Sequence, residues 1–274
     1  MRKWTLTAVS IVLVFVLTLV GCASGQDKSE QHMDHENMNH GEMEKADGGH
    51  QGHEKGGKDS EVTPAVSLSK QQSKQELIVS LKDREGNPVD KKDLTVNHER
   101  LMHLIVVSRD QQTYQHLHPK PKGQGTFTAI TTLPRDSYKA FVDIKPKSLS
   151  YQVSPIPFQV GDKKEQPPAQ LQPDGFTQTI HGTTVSMKPT TFKANQPITL
   201  DFRLKGGKPQ PYLGALGHVV ILDEKAENFV HVHPESDTDT RFATEFKKPG
   251  IYKIWAEFKI NNKVNVFPFV VNVQ

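Results

Sequence analysis

The stretch Met102–Ser108 (MHLIVVS) is followed by a polar segment, Arg109–Gln112, and then by Thr113–Pro119 (TYQHLHP). Two short runs rich in β-branched and aromatic residues on either side of a four-residue loop are typical of a β-hairpin, and the final proline ends the second strand. If the loop closes this hairpin without a bulge, His103 lies directly opposite His118. The stretch therefore predicts an antiparallel sheet.

The same pattern occurs again 115 residues later. Within a window of thirty-two residues, six identities fall at this one offset. They are His103 with His218, His116 with His231, His118 with His233, Pro119 with Pro234, Phe127 with Phe242, and Pro134 with Pro249. Two homologous modules explain such a repeat.

The chain after Glu61 consists of short runs of Val, Ile, Thr, Leu and Phe between turn signals such as Lys248-Pro249-Gly250, with no long helical periodicity. We therefore predict an all-β fold with two tandem immunoglobulin-like antiparallel β-sandwich domains. A single large barrel is the alternative. The predicted segments are a signal peptide (1–21), a disordered tether (22–60), a first domain (61–162), a linker (163–173) and a second domain (174–274).

Alternate side chains of a strand share a face, so His116 and His118 project together and His103 joins them from the neighbouring strand. Three imidazoles in reach of one another suit Zn(II), Cu(II) or Ni(II). The second module repeats the pattern as His218, His231 and His233. We therefore predict a metal site in each module. The alternative is that these histidines are structural and form hydrogen bonds at a sandwich edge.

The N-terminus has the pattern of an export signal. Arg2 and Lys3 precede an apolar run, and the run closes with Leu19-Val20-Gly21-Cys22. This tetrapeptide resembles the bacterial lipobox, which implies cleavage before Cys22 and a diacylglycerol on its sulfur. Two acyl chains suffice for stable membrane anchoring. We therefore expect a lipoprotein that carries acyl chains such as palmitate and lies on the extracytoplasmic face of the cell membrane. The expected location is the surface of a Gram-positive cell.

The segment from Ala23 to Ser60 has no aromatic residue and no Leu, Ile or Val, so it cannot bury enough apolar area to fold. It contains a cluster of potential metal ligands: His32, Met33, His35, Met38, His40, Met43, His50 and His53. Thioether sulfur favours Cu(I) or Ag(I), and imidazole accepts copper and zinc. The tail therefore favours copper as the metal that it binds, with zinc as the alternative metal. The other interpretation is that the tail is merely a hydrophilic spacer.

Several function classes lack their characteristic residues. Cys22 is the only cysteine in the chain, so the lipidated protein has no thiolate site and no blue-copper site. His35-Glu36-Asn37-Met38-Asn39-His40 is one residue too long for a zincin motif, and no nucleophile elbow or phosphate loop is present. The formal charge of +3 falls to +1 without Arg2 and Lys3, which does not suggest a nucleic-acid partner. We expect no enzyme activity.

The series His103–Val107 (HLIVV), His116–Pro119 (HLHP) and Tyr138–Phe141 (YKAF) resembles secreted bacterial domains of the YtkA-like and FixH-like kind. The Met and His tail resembles segments of copper-handling envelope proteins, which implies copper or silver tolerance. The sequence therefore predicts a membrane-anchored lipoprotein that captures, buffers or chaperones copper, with a metal-transfer protein as its partner. The alternatives are an adhesion or assembly module with structural histidines, and an accessory redox metalloprotein.

Overall fold

The computed structural model describes residues 59–71, 74–162, 167–168, 170–232 and 234–274. They form strands joined by turns, with one short 3-10 helix, η1 (Lys91–Asp93). The predicted signal peptide, the His and Met tail and His233 lie outside the described residues. Within the described part of the chain, no helix is long and apolar enough to cross a membrane.

The first module contains nine strands in two sheets. The strands are β1 (Val62–Gln71), β2 (Lys74–Asp83), β3 (Leu94–Thr95), β4 (Met102–Ser108), β5 (Tyr114–Leu117), β6 (Lys120–Gly123), β7 (Thr126–Thr131), β8 (Asp136–Pro146) and β9 (Ile156–Val160). One sheet has the order β1-β2-β7-β6. The other, which we call the first inner sheet, has the order β3-β8-β4-β5, with β9 also paired to β8.

The second module contains eight strands in two four-stranded sheets. The strands are β10 (Thr177–Ile180), β11 (Thr183–Lys188), β12 (Pro197–Lys205), β13 (His218–Asp223), β14 (Phe229–Val232), β15 (Arg241–Glu245), β16 (Gly250–Ile260) and β17 (Lys263–Val273). Their orders are β10-β11-β12-β15 and, for the second inner sheet, β14-β13-β16-β17. All the strand pairings of both modules are antiparallel. The prediction of an all-β fold made of antiparallel sandwiches is confirmed.

Each module buries its own apolar core between its two sheets. In the first module, Leu77 and Val79 of β2 pack in one cluster with Leu104 and Val106 of β4. In the second, Phe202 of β12 packs in one cluster with strands β13, β16 and β17. The outer strand β2 alternates between buried and more exposed positions, which is the period of two expected of a sheet with one solvated face. The domain boundaries assigned from the repeat stay a prediction.

The central strands of the inner sheets differ from β2 because both of their faces are buried. Every residue of β4 is buried, and only the last residue of β13 is not. Leu104 and Val106 face the first core, so Ile105 and Val107 lie on the opposite face. These two side chains belong to a third apolar cluster that also includes Val220 of β13.

This third cluster is the interface between the modules. It combines residues of the first module with residues of the second: Ile105, Val107, Phe141, Val220, Leu222, Ala226 and Trp255 are its buried members. Across the interface, Tyr114 stacks on Trp255 and Phe141 stacks on Phe229, with ring centroids 4.9 Å and 5.2 Å apart. Burying each large apolar side chain contributes about 1.5–3 kcal/mol, so the inner sheets are held face to face chiefly by the hydrophobic effect.

Equivalent polar contacts flank this interface. The Lys139 ammonium donates to the carbonyl oxygen of Lys225 at 2.7 Å, and the Lys253 ammonium donates to that of Gln111 at 2.7 Å. The Gln111 side chain also donates to the carbonyl oxygens of Asp223 and Glu224, at 3.0 and 2.9 Å. The turn of each inner hairpin is thus hydrogen-bonded to the other module.

We predict that replacing Trp255 with alanine lowers the free energy of unfolding by about 3–5 kcal/mol, because the change opens a cavity between the inner sheets. Guanidinium denaturation measures it. Ile130→Ala is the matched control, since Ile130 is 50% exposed and its truncation should cost no more than about 0.5 kcal/mol. Equal midpoints for the two variants would contradict an interface held by Trp255.

Candidate metal centre

The inner hairpin of the first module has the predicted register. Leu104 pairs with Leu117 and Ile105 with His116, while the amide of Ser108 donates to the carbonyl of Thr113. His103, His116 and His118 therefore share the face that carries Ile105, which is the face turned towards the second module.

The first-module histidines form a compact group. The rings of His116 and His118 are 4.7 Å apart between centroids, and each lies 5.1 Å from the ring of His103. One ligand nitrogen from each of the three lies within 4.8 Å of the other two. His103 is fully buried, and the His116 side chain is only 3% exposed. The structure thus brings together the three residues predicted from the first hairpin.

The second module adds its histidines to the same cluster. The ring of His231 lies 4.9 Å from that of His103 and 5.3 Å from that of His116. The ring of His218 lies 6.4 Å and 6.0 Å from the same two rings. The sequence analysis assigned one triad to each module. In the structure, His218 and His231 lie beside the first triad, at the interface between the modules. Because His233 lies outside the described residues, the triad of the second module stays a prediction.

Two carboxylates that the sequence analysis did not identify complete the cluster. His116 Nδ1 of the first module donates to both carboxylate oxygens of Glu257 in the second, at 3.1 Å. In the reciprocal direction, His231 Nδ1 donates to Asp143 Oδ2 at 2.8 Å. The Tyr114 hydroxyl also donates to Glu257. Asp143 lies opposite His103 in the first inner sheet, and Glu257 lies opposite His218 in the second. Their position on a buried face of a strand is the sequence feature that could have identified them.

The other two rings are anchored by main-chain carbonyls at equivalent positions. His103 Nε2 donates to the carbonyl oxygen of Asn97, and His218 Nε2 donates to that of Tyr212, both at 3.0 Å. A nitrogen that donates to a carbonyl oxygen carries the proton, so Nδ1 of a neutral imidazole presents its lone pair. These contacts fix which nitrogen of each ring carries the proton and which carries the lone pair.

Burial keeps three of the rings neutral. It lowers the pKa of His103 to about 2, with further lowering from the nearby His231 and His116. Burial likewise lowers the pKa values of His118 and His218 to about 3. Burial by itself raises the pKa of the Glu257 carboxyl, but His116 and Tyr114 reverse this and hold it at about 2. Neutral imidazoles have no proton to lose before they bind a metal ion.

His118 has a further property that suits a ligand. Its Nε2 atom is buried and makes no hydrogen bond with any of the residues that the structure describes. A buried polar nitrogen without a hydrogen bond is costly, and an ion is one way to satisfy it.

His98, Met102 and His181 lie at or beyond the edge of the histidine cluster. His98 lies at the edge of the cluster, with its ring 6.5 Å from that of His103 and 6.4 Å from that of His218. Met102 is buried in the first core and does not face the cluster. His181 is an exposed turn residue that is hydrogen-bonded to Asn265, as expected of a surface histidine. The tail ligands His32 to His53 and His233 lie outside the described residues.

We predict that His103 and His218 carry their proton on Nε2, while His116 and His231 carry a proton on Nδ1. The reason is that carbonyl and carboxylate oxygens accept hydrogen bonds and cannot donate them. Long-range ¹H–¹⁵N correlation spectra of the metal-free protein report the protonated nitrogen of each ring, with single His→Gln variants giving the assignments. An Nδ1–H tautomer at His103 would contradict the arrangement.

Two of the comparisons with known proteins concern individual proteins and solved structures. A search of curated proteins finds no match. Among solved structures, the Escherichia coli adhesin FdeC is 13% identical (TM-score 0.24, 78% of this chain and 64% of that one), and Salmonella alpha-2-macroglobulin is 10% identical (0.23, 77% and 14%). Staphylococcus aureus TarS is 9% identical (0.23, 77% and 55%). At such TM-scores the likeness says nothing about function.

A family model does match most of the chain. The model is described as a domain of unknown function, DUF8832, and it matches residues 55–173 and 178–274. These two stretches contain every strand of both modules apart from Thr177, the first residue of β10, and they contain every described histidine of the cluster. The chain belongs to the DUF8832 family.

Proposed function

We propose that this chain is a metal-binding lipoprotein, anchored through Cys22 to the extracytoplasmic face of the membrane, which captures and buffers copper. The observation that carries the proposal is the group of three imidazoles, His103, His116 and His118, with ligand nitrogens within 4.8 Å of one another. Imidazole nitrogen suits copper and zinc. The Met and His tail of the sequence favours copper of the two.

The electrostatics of the cluster support this proposal. The neutral state of His103 and His118, maintained by burial, is the form that binds a metal ion. The Glu257 carboxylate behind His116 has the arrangement of the carboxylates that orient histidine ligands in metalloproteins. No enzyme activity is proposed.

A structural role for the histidines is the second candidate, and one observation favours it. The pairs His116–Glu257 and His231–Asp143 cross the interface in opposite directions, so they could hold the modules together without any ion. In this case the protein is an assembly module. The two candidates differ in whether an ion binds, which can be measured directly.

We predict that the unlipidated chain from residue 23 binds Cu(II) or Zn(II) with a dissociation constant below 1 µM, taking ~1 µM as the threshold for a specific site. A chain that starts at Asp59 keeps the contacts of Asp59 and Glu61 with Ser150 and should retain one ion after the tail sites are lost. Isothermal titration and metal analysis after dialysis measure both. His181→Ala is the control for the double variant H116A/H118A, which should lose the folded site.

Binding should also stabilise the fold. At a free ion concentration of about 100 times the dissociation constant, the free energy of unfolding should rise by about 2.7 kcal/mol. No ion bound by either chain would exclude the metal-binding function and leave the structural role. Binding by the longer chain alone would assign the metal to the tail.

We predict that Cys22→Ser prevents incorporation of labelled palmitate and releases the protein from the membrane fraction, because the thioether is the point of lipid attachment. Metabolic labelling and fractionation of expressing bacteria measure this. Ser24→Ala, two residues away, should leave both unchanged. Labelling that persists in the Cys22→Ser variant would disprove the anchor.

A further inference from the structure

The contacts of His231 resemble those of His116, although the two residues belong to different modules. Each uses Nδ1 to donate to a carboxylate of the other module: His116 to Glu257, and His231 to Asp143. Because Nδ1 carries the proton in both, Nε2 is the nitrogen that carries the lone pair of a neutral ring. The two carboxylates therefore orient both rings by contacts that exist only when the modules are docked.

His103 and His116 approach each other in a way that needs a positive ion or proton. His103 Nδ1 and His116 Nε2 are 2.9 Å apart, and the other nitrogen of each ring donates to an oxygen that only accepts. Two lone pairs at this distance repel. Two nitrogens that each lie about 2.0–2.1 Å from one zinc-type ion are about 3.3 Å apart at a tetrahedral angle and about 2.9 Å apart at a right angle. The observed separation is close to that of two ligands of one ion.

The spacing of the rings extends this agreement to the second module. Four imidazoles around one tetrahedral ion have ring centroids roughly 5 Å apart. The rings of His103, His116 and His118 lie 4.7–5.1 Å apart, and the ring of His231 lies 4.9 Å and 5.3 Å from two of these three, those of His103 and His116. A proton shared between His103 and His116 would explain only the approach of those two rings.

We propose that the metal centre is shared between the modules, with one ion bound by His103, His116 and His118 of the first module and by His231 of the second. This rests on the proposed metal-binding function and adds that the ion clamps the two inner sheets together. Asp143 and Glu257 are its positioning residues. The clamp makes module docking and metal binding mutually dependent, because each stabilises the other.

The consequence is that capture and release of the ion depend on how tightly the modules are docked. The apolar part of the interface, around Trp255 and Phe141, holds His231 beside the histidines of the first module. A partner that loosened this interface would weaken the site by removing His231. The partner would then not have to bind the ion more tightly than all four imidazoles together.

The test uses the mature chain from residue 22 with Cys22 and the eight His and Met residues of the tail changed to serine, so that neither lipid nor the tail contributes. Cu(II) and Zn(II) are each added alone, and stoichiometry and affinity are measured by titration and native mass spectrometry. We expect one ion per chain. His231→Phe should weaken binding at least 100-fold, as His103→Phe should, while the exposed control His181→Phe should leave it unchanged.

A second pair of variants tests the orientation of His231 while keeping its imidazole. Asp143→Leu removes the hydrogen-bond acceptor and should weaken binding by about 10–100-fold. Asp143→Asn keeps an acceptor oxygen and should restore most of the affinity. Circular dichroism checks that the Asp143→Leu and Asp143→Asn variants are equally folded. If Asp143 had a merely structural role, two equally folded variants would bind the ion with equal affinity. If His231→Phe does not fold, this pair decides the question.

Amide hydrogen exchange provides the readout that separates the two proposals. Ion binding should slow exchange in β14, which carries His231, at least tenfold, as well as in β5. If the ion slows exchange in β5 alone and His231→Phe binds normally, the shared centre is wrong and the first-module site stands. If no ion binds to the parent chain, both proposals fail.

Discussion

The packing of the two inner sheets against each other is the constraint on which the rest of the structure depends. Ile105 and Val107 on one side, and Val220 and Leu222 on the other, occupy the faces that an isolated sandwich would expose to water. Burial of these faces makes the two modules one compact unit. It also excludes water from most of the histidine rings at one end of the apolar contact, since His103 and His218 are fully buried and His231 is only 8% exposed.

This exclusion of water determines the electrostatics of the site. A buried imidazolium is unfavourable, so the rings of His103 and His118 stay neutral. Buried carboxylates are unfavourable as well unless they are paired. Asp143 and Glu257 are each paired with a histidine of the other module. The burial that keeps the imidazoles neutral therefore also requires the pairs His116–Glu257 and His231–Asp143, which orient two of the rings.

The internal repeat explains why the contacts occur in reciprocal form. His103 and His218 donate to carbonyls at equivalent positions, and Lys139 and Lys253 both donate to the turn of the opposite hairpin. Two similar surfaces facing each other make each contact twice, as in a twofold dimer. The repeat is not perfect, since Tyr114 stands where the second module has Phe229, and only Tyr114 donates to a carboxylate. Such differences make the hydrogen bonds of the two halves of the cluster unequal.

The sequence by itself determined the all-β fold, the hairpin register and the three histidines that share a face in the first module. These follow from local rules: strand periodicity, the length of the loop Arg109–Gln112 and the position of Pro119. The uninterrupted apolar runs of β4 and β13 also contained a sign that both faces are buried. The lipid anchor and the tail ligands stay predictions from the same sequence.

Only the tertiary structure decided that His218 and His231 of the second module lie beside the histidines of the first. The sequence analysis expected separate triads because sequence periodicity describes the faces of a strand but not what packs against them. For the same reason it did not identify Asp143 and Glu257, which in an apolar strand look like residues of a solvated face. Contacts across 88 and 141 positions of the chain, such as His231 with Asp143 and His116 with Glu257, depend on the docking of two folded units. That docking follows from surface complementarity, which no local pattern contains.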